Sequence, residues 1–271
     1  MQYQKYKYNS LKKSYKNYYP FKIGTTSFIY PDFYIPNVTM LGPFVDEIEL
    51  LVFESGPAAS LLSNAVINEL KHLSQELQIS YNIHLPTDIS ISDPAPVKQD
   101  KAVDTLIRII ERVAPLSPSS HTLHVPYSGD VHGDNHLRKW QNDIHKNLEK
   151  IVSAGVSADR FAIETLDYPI ELLESVIRDL KLSICLDIGH LIISGADIPA
   201  VFNSSFEAVS IIHLHGVADG KDHGSLDRLS DNLLDPIIGR LKKFSGTVSL
   251  EVFNFENLKS SLDILEQRCN L

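Results

Sequence analysis

Along this 271-residue chain, strand-like apolar runs end one after another on histidine, aspartate or glutamate: His84, His124, Glu164, Asp187 with His190, His213 with His215, and Glu251. Imidazole nitrogen and carboxylate oxygen are the donors that hold zinc, manganese or ferrous iron. Donors spread over so many runs act together only if the fold gathers the ends of those runs at one place. A parallel barrel does so, because the C-terminal ends of its strands share one mouth. The pattern predicts an enzyme that uses divalent metal ions.

Individual positions sharpen the reading. His84, in Asn82-Ile83-His84-Leu85-Pro86, and His124, in Thr122-Leu123-His124-Val125-Pro126, stand at matching places in consecutive runs with proline at the same offset. Glu164 closes Phe161-Ala162-Ile163-Glu164, and a carboxylate inside a barrel must find a cation or a metal. Asp187-Ile188-Gly189-His190 sets two donors around a glycine, read as letting the backbone bend toward a bound ion. His213 and His215 are two apart and share a strand face, and His213 is the favoured ligand of the two. His223, in Asp222-His223-Gly224, is a ligand candidate in a loop, where a solvated turn is the alternative. His72, His132, His136 and His145 have no such placement, and His121 begins its strand, so these five are expected to be structural or solvated.

The elements that must position these donors follow from periodicity. Eight short apolar runs, at 21–27, 47–53, 79–85, 121–125, 160–164, 182–187, 209–214 and 247–252, read as strands. Amphipathic helical spacing lies between or after them at 58–77, 96–113, 135–152, 169–180, 235–244 and 257–268. In 135–152, for example, Leu137, Trp140, Ile144, Leu148 and Ile151 form one stripe, which makes Trp140 a packing residue. An open doubly wound sheet concentrates its chemistry at one switch point, whereas polar residues here end nearly every strand. The expected fold is α/β, a single (β/α)8 TIM barrel over 21–271, preceded by a flexible Lys/Tyr-rich leader over 1–20.

Composition excludes several classes. The chain carries a formal net charge of −9, and removing the five lysines of residues 1–20 leaves the rest at −14, a poor surface for double-stranded nucleic acid. No Gly-rich nucleotide fingerprint occurs, since Gly24, Gly42 and Gly56 lack the spacing. Cys185 and Cys269 are too few for a disulfide framework, and neither a secretion signal nor an apolar span is visible, so a cytoplasmic protein without membrane association is expected. The oligomeric state is left open.

With these residues in place, the chain resembles the xylose-isomerase-like TIM barrel superfamily over roughly residues 21–260, a group that includes sugar phosphate isomerases and epimerases and the endonuclease IV group. The resemblance implies that Glu164, Asp187, His213 and Glu251 hold one divalent ion. Similarity to the endonuclease IV branch adds His84 and His124 at a first metal, with Glu164 bridging to a second, and His190 as a third-metal ligand. That branch has an Asp-x-His loop pair where this chain has adjacent Asp222 and His223, so the resemblance carries two metals more firmly than three.

The opening strand, Ile23-Gly24-Thr25-Thr26-Ser27-Phe28-Ile29-Tyr30-Pro31, with Glu47-Ile48-Glu49-Leu50-Leu51-Val52-Phe53-Glu54 after it, is similar to the cobamide-remodelling phosphodiesterases of this superfamily. It implies hydrolysis of a phosphoester in the nucleotide loop of a cobamide by two or more zinc, manganese or iron ions. Glu164, Glu251 and His190 would be catalytic, His223 an alternative to His190 at the leaving oxygen, and Thr25, Thr26, Ser27 and Lys221 substrate contacts. The substrate would then be a small molecule, a corrinoid. The alternative is a single-metal sugar phosphate isomerase or epimerase, in which Glu164 and Glu251 shuttle a proton and His84 and His124 bind the phosphorylated sugar. An AP endonuclease-like DNA repair enzyme and a non-catalytic binding barrel stand further behind.

Overall fold

In the computed structural model, which describes residues 7–53, 62–127, 129 and 134–269, eight parallel strands close on themselves. They are β1 (Lys22–Thr26), β2 (Glu47–Leu51), β3 (Ser80–His84), β4 (His121–Leu123), β5 (Phe161–Glu164), β6 (Ser183–Asp187), β7 (Val209–Leu214) and, after the small antiparallel hairpin β8 (Gly216–Ala218) and β9 (Lys221–Gly224), β10 (Thr247–Leu250). The ring runs β1-β10-β7-β6-β5-β4-β3-β2, so each barrel strand pairs with its neighbour in the chain and β10 closes on β1. The chain is the expected TIM barrel.

The outer layer consists of α1 (Tyr34–Leu41), α2 (Asn64–Leu77), α3 (Pro96–Val113), α4 (Asp134–Val152), α5 (Glu174–Leu180), α6 (Ile188–Ile193), α7 (Ile198–Ser205), α8 (Asp231–Leu241) and α9 (Phe255–Cys269). Their apolar stripes face the strands. In α4, Trp140, Ile144, Leu148 and Ile151 are buried in the main core between helices and sheet, and each such side chain contributes about 1.5–3 kcal/mol. Along each strand the opposite face points inward. Since Glu164, Asp187 and His213 face the axis, so do Ala162, Cys185 and Ile211 two residues earlier, and these three pack as a separate apolar plug inside the barrel.

Several expectations change. The described part of the leader is packed and not loose: Leu11, Tyr15 and Tyr19 are buried in the main core, and Lys13 pairs with Glu266. The four tyrosines among residues 7–20 supply apolar area that a lysine-rich composition conceals. Periodicity also missed α1, α6 and α7, of eight, six and eight residues, which are too short to display a stripe. Of the helix expected at 58–77, the part at 58–61 lies outside the described residues, as does His132, and α2 begins at Asn64 behind the Ser63 cap. Among the described residues no helix is long and apolar enough to cross a membrane.

Candidate metal centre

Glu164 ends β5 fully buried at the centre of the mouth, with a ring of imidazoles around its two oxygens. His124 Nε2 is 2.8 Å and His84 Nε2 3.2 Å from Oε2, while His190 Nδ1 is 3.4 Å and His213 Nδ1 3.6 Å from Oε1. His213 Nδ1 also faces Glu251 Oε2 at 3.3 Å and Asp187 Oδ2 at 3.8 Å, and His223 Nδ1 lies 3.8 Å from Glu251 Oε2. All eight residues expected as ligands therefore meet at one mouth, lining or underlying a pocket of about 220 Å3.

Backbone contacts aim the rings. A carbonyl oxygen only accepts, so the ring nitrogen against it must carry a proton, and the other nitrogen is the one that offers a lone pair when the ring is neutral, as a metal requires. His84 Nδ1 lies against the Leu85 carbonyl at 3.0 Å, which turns a bare Nε2 toward Glu164. His190 Nδ1 is held by the Thr165 carbonyl at 3.1 Å, and its backbone N–H donates to Asp187 Oδ1 at 2.7 Å, so Asp187 caps α6 while presenting Oδ2 to the site. Loops are tied in the same way. Trp140 Nε1 donates to the Pro126 carbonyl and the Tyr168 hydroxyl to that of Val125, which anchors the backbone just beyond His124.

Two residues that the sequence reading did not assign complete the arrangement. Glu49, fully buried on β2, accepts from His213 Nε2 at 2.9 Å and from the Ser249 hydroxyl at 2.6 Å. His213 must then carry its proton on Nε2, leaving Nδ1 bare toward Glu164, Asp187 and Glu251. A carboxylate behind a ligating histidine fixes its tautomer and raises its basicity. A signal for this was present: Glu47 and Glu49 are two apart on a strand and must both point inward. His215, the second, accepts the His223 backbone N–H on Nδ1 at 2.9 Å, so its Nε2 carries the proton and donates to Asp187 at 3.2 Å. Although His215, His223 and Glu251 lie close enough to share an ion, that tautomer makes His215 a partner of Asp187, not a ligand.

Gly189 acquires a different reason from the one its turn position indicated. Its φ is ordinary, but a Cβ there would stand 1.8 Å from His215 Cε1, so glycine is required to admit the imidazole behind Asp187. Thr25, Thr26 and Ser27 are corrected outright as substrate contacts: all three are fully buried. Thr25 donates to the Leu250 carbonyl and Thr26 to that of Val252, while Ser27 accepts from the Leu51 N–H, so they seam β1 to its neighbours. Lys221 is exposed on β9 and Asp222 lies 3.7 Å from His223 Nε2.

The charges are mutually dependent. Burial pushes the Glu164 carboxyl up, but His124 and His213 beside it hold it well below the ordinary value; burial likewise raises Asp187, which His215 and His190 bring down to about 2. Burial lowers His84, yet the adjoining Glu164 carboxylate holds it up at about 9, and His213 is raised by its acidic neighbours against the same penalty. Three buried carboxylates thus demand positive charge at this spot, from imidazolium protons or from divalent cations.

Hydrogen bonding supports the cation. Both Glu164 oxygens, His124 Nε2, His213 Nδ1 and Glu251 Oε2 are buried without a hydrogen-bond partner although they crowd one another. Close approach without hydrogen bonding is expected of groups aimed at a common third body, and leaving them so would cost about 1–3 kcal/mol each. Two groups with short mutual spacing, His84-Glu164-His213 and Glu164-Asp187-His213-Glu251, share Glu164 and His213. The residues fit divalent ions with mixed N/O ligation, as zinc, manganese and iron accept.

A family description, xylose isomerase-like TIM barrel, matches residues 42–268. The chain belongs to the xylose isomerase-like TIM barrel family. No curated protein matches it by sequence. Among solved structures, a D-tagatose 3-epimerase-like protein superposes with a TM-score of 0.73 at 16% identity, covering 92% of this chain and 97% of its own. Endonuclease IV from Thermus thermophilus does so with a TM-score of 0.70 at 18% identity over 92% and 99%. The IOLI protein with a bound zinc atom gives 0.68 at 15% over 92% and 95%. At these identities the likeness is one of fold, and within the family it leaves hydrolysis and isomerisation both open.

Proposed function

We propose that this family member is a metal-dependent phosphodiesterase, with a phosphoester in the nucleotide loop of a cobamide as substrate. The observation that carries the reading is the donor surplus around Glu164. Four residues, Glu164, Asp187, His213 and Glu251, suffice for one ion, and His84 and His124 then have no role at a single-ion site that their 3.2 and 2.8 Å approach to Glu164 Oε2 would serve. Two ions would be held by His84, His124 and Glu164 on one side and by Glu164, Asp187, His213 and Glu251 on the other. Bound there, such ions supply Lewis-acid stabilisation of phosphoryl charge and a lowered pKa for water.

The chain's own residues do the rest. Glu164 and Glu251 orient the attacking water, with Glu251 taking the one proton it loses; His190 or His223, partly exposed at the rim, passes a proton drawn from solvent to the leaving oxygen. Asp187 and its His215 partner hold the floor rigid. Among the described residues the pocket lining contains neither lysine nor arginine. The cobamide itself rests on the likeness of the β1 and β2 segments to cobamide-remodelling enzymes and on the acidic surface, which suits an amide-rich corrinoid better than DNA.

The second reading, a single-metal sugar epimerase or isomerase, is favoured by one observation: the four-residue group is complete by itself. Neighbours such as the D-tagatose 3-epimerase-like protein share the barrel. Incubating the manganese- or zinc-loaded protein with a corrinoid panel and a sugar and sugar phosphate panel, with mass spectrometry of products, separates the two. Release of a nucleoside from a cobamide is the expected result; epimerised sugar with intact cobamide would reverse the assignment.

A further inference from the structure

We infer that the arc of the mouth formed by β10, β1 and β2 is a binding subsite for a flat, largely apolar ring system carried by the substrate beside its scissile phosphoester. The inference rests on the phosphodiesterase reading and names what that substrate must present. The three strands are consecutive around the barrel, and beyond their C-terminal ends stand Phe253, Phe28 and Phe53. Phe53 and Phe253 line the same pocket as His84, Glu164, His223 and Glu251, yet remain 45% and 39% exposed.

These rings form a surface. Phe28 lies 5.9 Å from Phe53 and 5.6 Å from Tyr34, and Phe253 meets His223 edge-on at 4.9 Å. The Tyr34 hydroxyl is occupied by the Leu51 carbonyl at 2.6 Å, which locks the start of α1 onto the end of β2, so that this ring offers the arc its aromatic face and no free hydroxyl. On the other side of the mouth, β3 to β6 contribute the polar groups His84, His124, Glu164, Asp187 and His190.

Such a division fits a ligand with two unlike ends. A small sugar offers hydroxyls on every carbon and would leave them unpaired against this arc, whereas a planar ring would cover the aromatic faces and exclude water from them. Exposed aromatic groups kept beside a buried ion cluster are most economically explained by a substrate that covers them.

The test uses the full chain loaded with Mn2+. Binding of 1-naphthyl phosphate and of inorganic phosphate is measured by calorimetry, and turnover of aryl and methyl p-nitrophenyl phosphodiesters by absorbance, in the wild type, Phe53→Ala, Phe53→Leu and Phe253→Ala. Expected are a weakening of naphthyl phosphate binding and a rise in KM for the aryl diester of about 3- to 10-fold per alanine variant, with Phe53→Leu intermediate. Inorganic phosphate affinity and metal content should not change. Equal weakening of both ligands, no change for either, or loss of a self-association seen in the wild type by sedimentation would overturn the subsite. If neither diester is hydrolysed while naphthyl phosphate still binds through Phe53, the subsite stands and the phosphodiesterase reading falls.

Discussion

Two glutamates lie fully buried inside the same barrel and are treated in opposite ways. Glu47, at the N-terminal end of β2, accepts from the Ser80 hydroxyl at 2.5 Å and from Asn82 Nδ2 at 3.0 Å, with Lys22 Nζ 3.8 Å away. Glu164, at the C-terminal end of β5, is hemmed in by four imidazoles and yet has no hydrogen bond to either oxygen. Burial alone therefore does not separate these two carboxylates; the absence of a protein hydrogen-bond partner does. At the bottom of the barrel Glu47 is satisfied by its neighbours, which serves stability, and at the top Glu164, His124, His213 and Glu251 retain unsatisfied atoms around one point, which serves ligation.

The largest effect should come from the unsatisfied glutamate. Glu164→Gln is expected to lower turnover by at least about 10^3 and to remove bound metal, with thermal unfolding of the metal-free protein changed little; retained metal would break the comparison. Glu47→Ala should do the reverse, costing about 2–3 kcal/mol in denaturant unfolding by leaving the Ser80 hydroxyl and Asn82 amide unpaired and a cavity where the carboxylate stood, while metal content per folded chain stays constant. A loss of metal in that variant would show the two ends to be coupled.

Glu49 stands between these extremes, being satisfied itself but facing the site through His213. Glu49→Gln should weaken metal affinity about 10- to 100-fold in a competitive chelator titration, and unchanged affinity would show that the His213 tautomer is set by something else. His121 gives a smaller test at the structural side of the barrel. It is buried on β4 with both ring nitrogens unpartnered, and burial, with the Arg160 charge adding, pushes it down to about 4. A folded-state value below the unfolded value of about 6.5 means the unfolded chain binds the extra proton, so stability falls as pH drops from about 6.5 toward 4. About 1.5 kcal/mol should be lost between pH 6.5 and 5, and His121→Phe should flatten that slope; an unchanged slope would assign it to another group.

Much of the barrel was legible in sequence because each strand is short, apolar and flanked by polar punctuation, and because strand-end position alone selects His84, His124, Glu164, Asp187, His213 and Glu251. The same logic failed where partners are distant. His213 and Glu49 are 164 positions apart, and only the folded ring reveals which histidine nitrogen is free. It failed for Thr25, Thr26 and Ser27 as well, since their strand is right but their hydroxyls are taken up by neighbouring backbone. Gly189 was legible as necessary, although its reason, room for His215, lies on a different strand that no local motif reveals.

Elemental analysis of the purified chain, reconstituted with manganese or zinc and freed of excess metal, should find two or more divalent ions per chain, falling by one in His84→Ala with the fold intact by circular dichroism. A single ion per chain, undiminished in that variant, would contradict the shared cluster around Glu164 and return His84 and His124 to substrate binding.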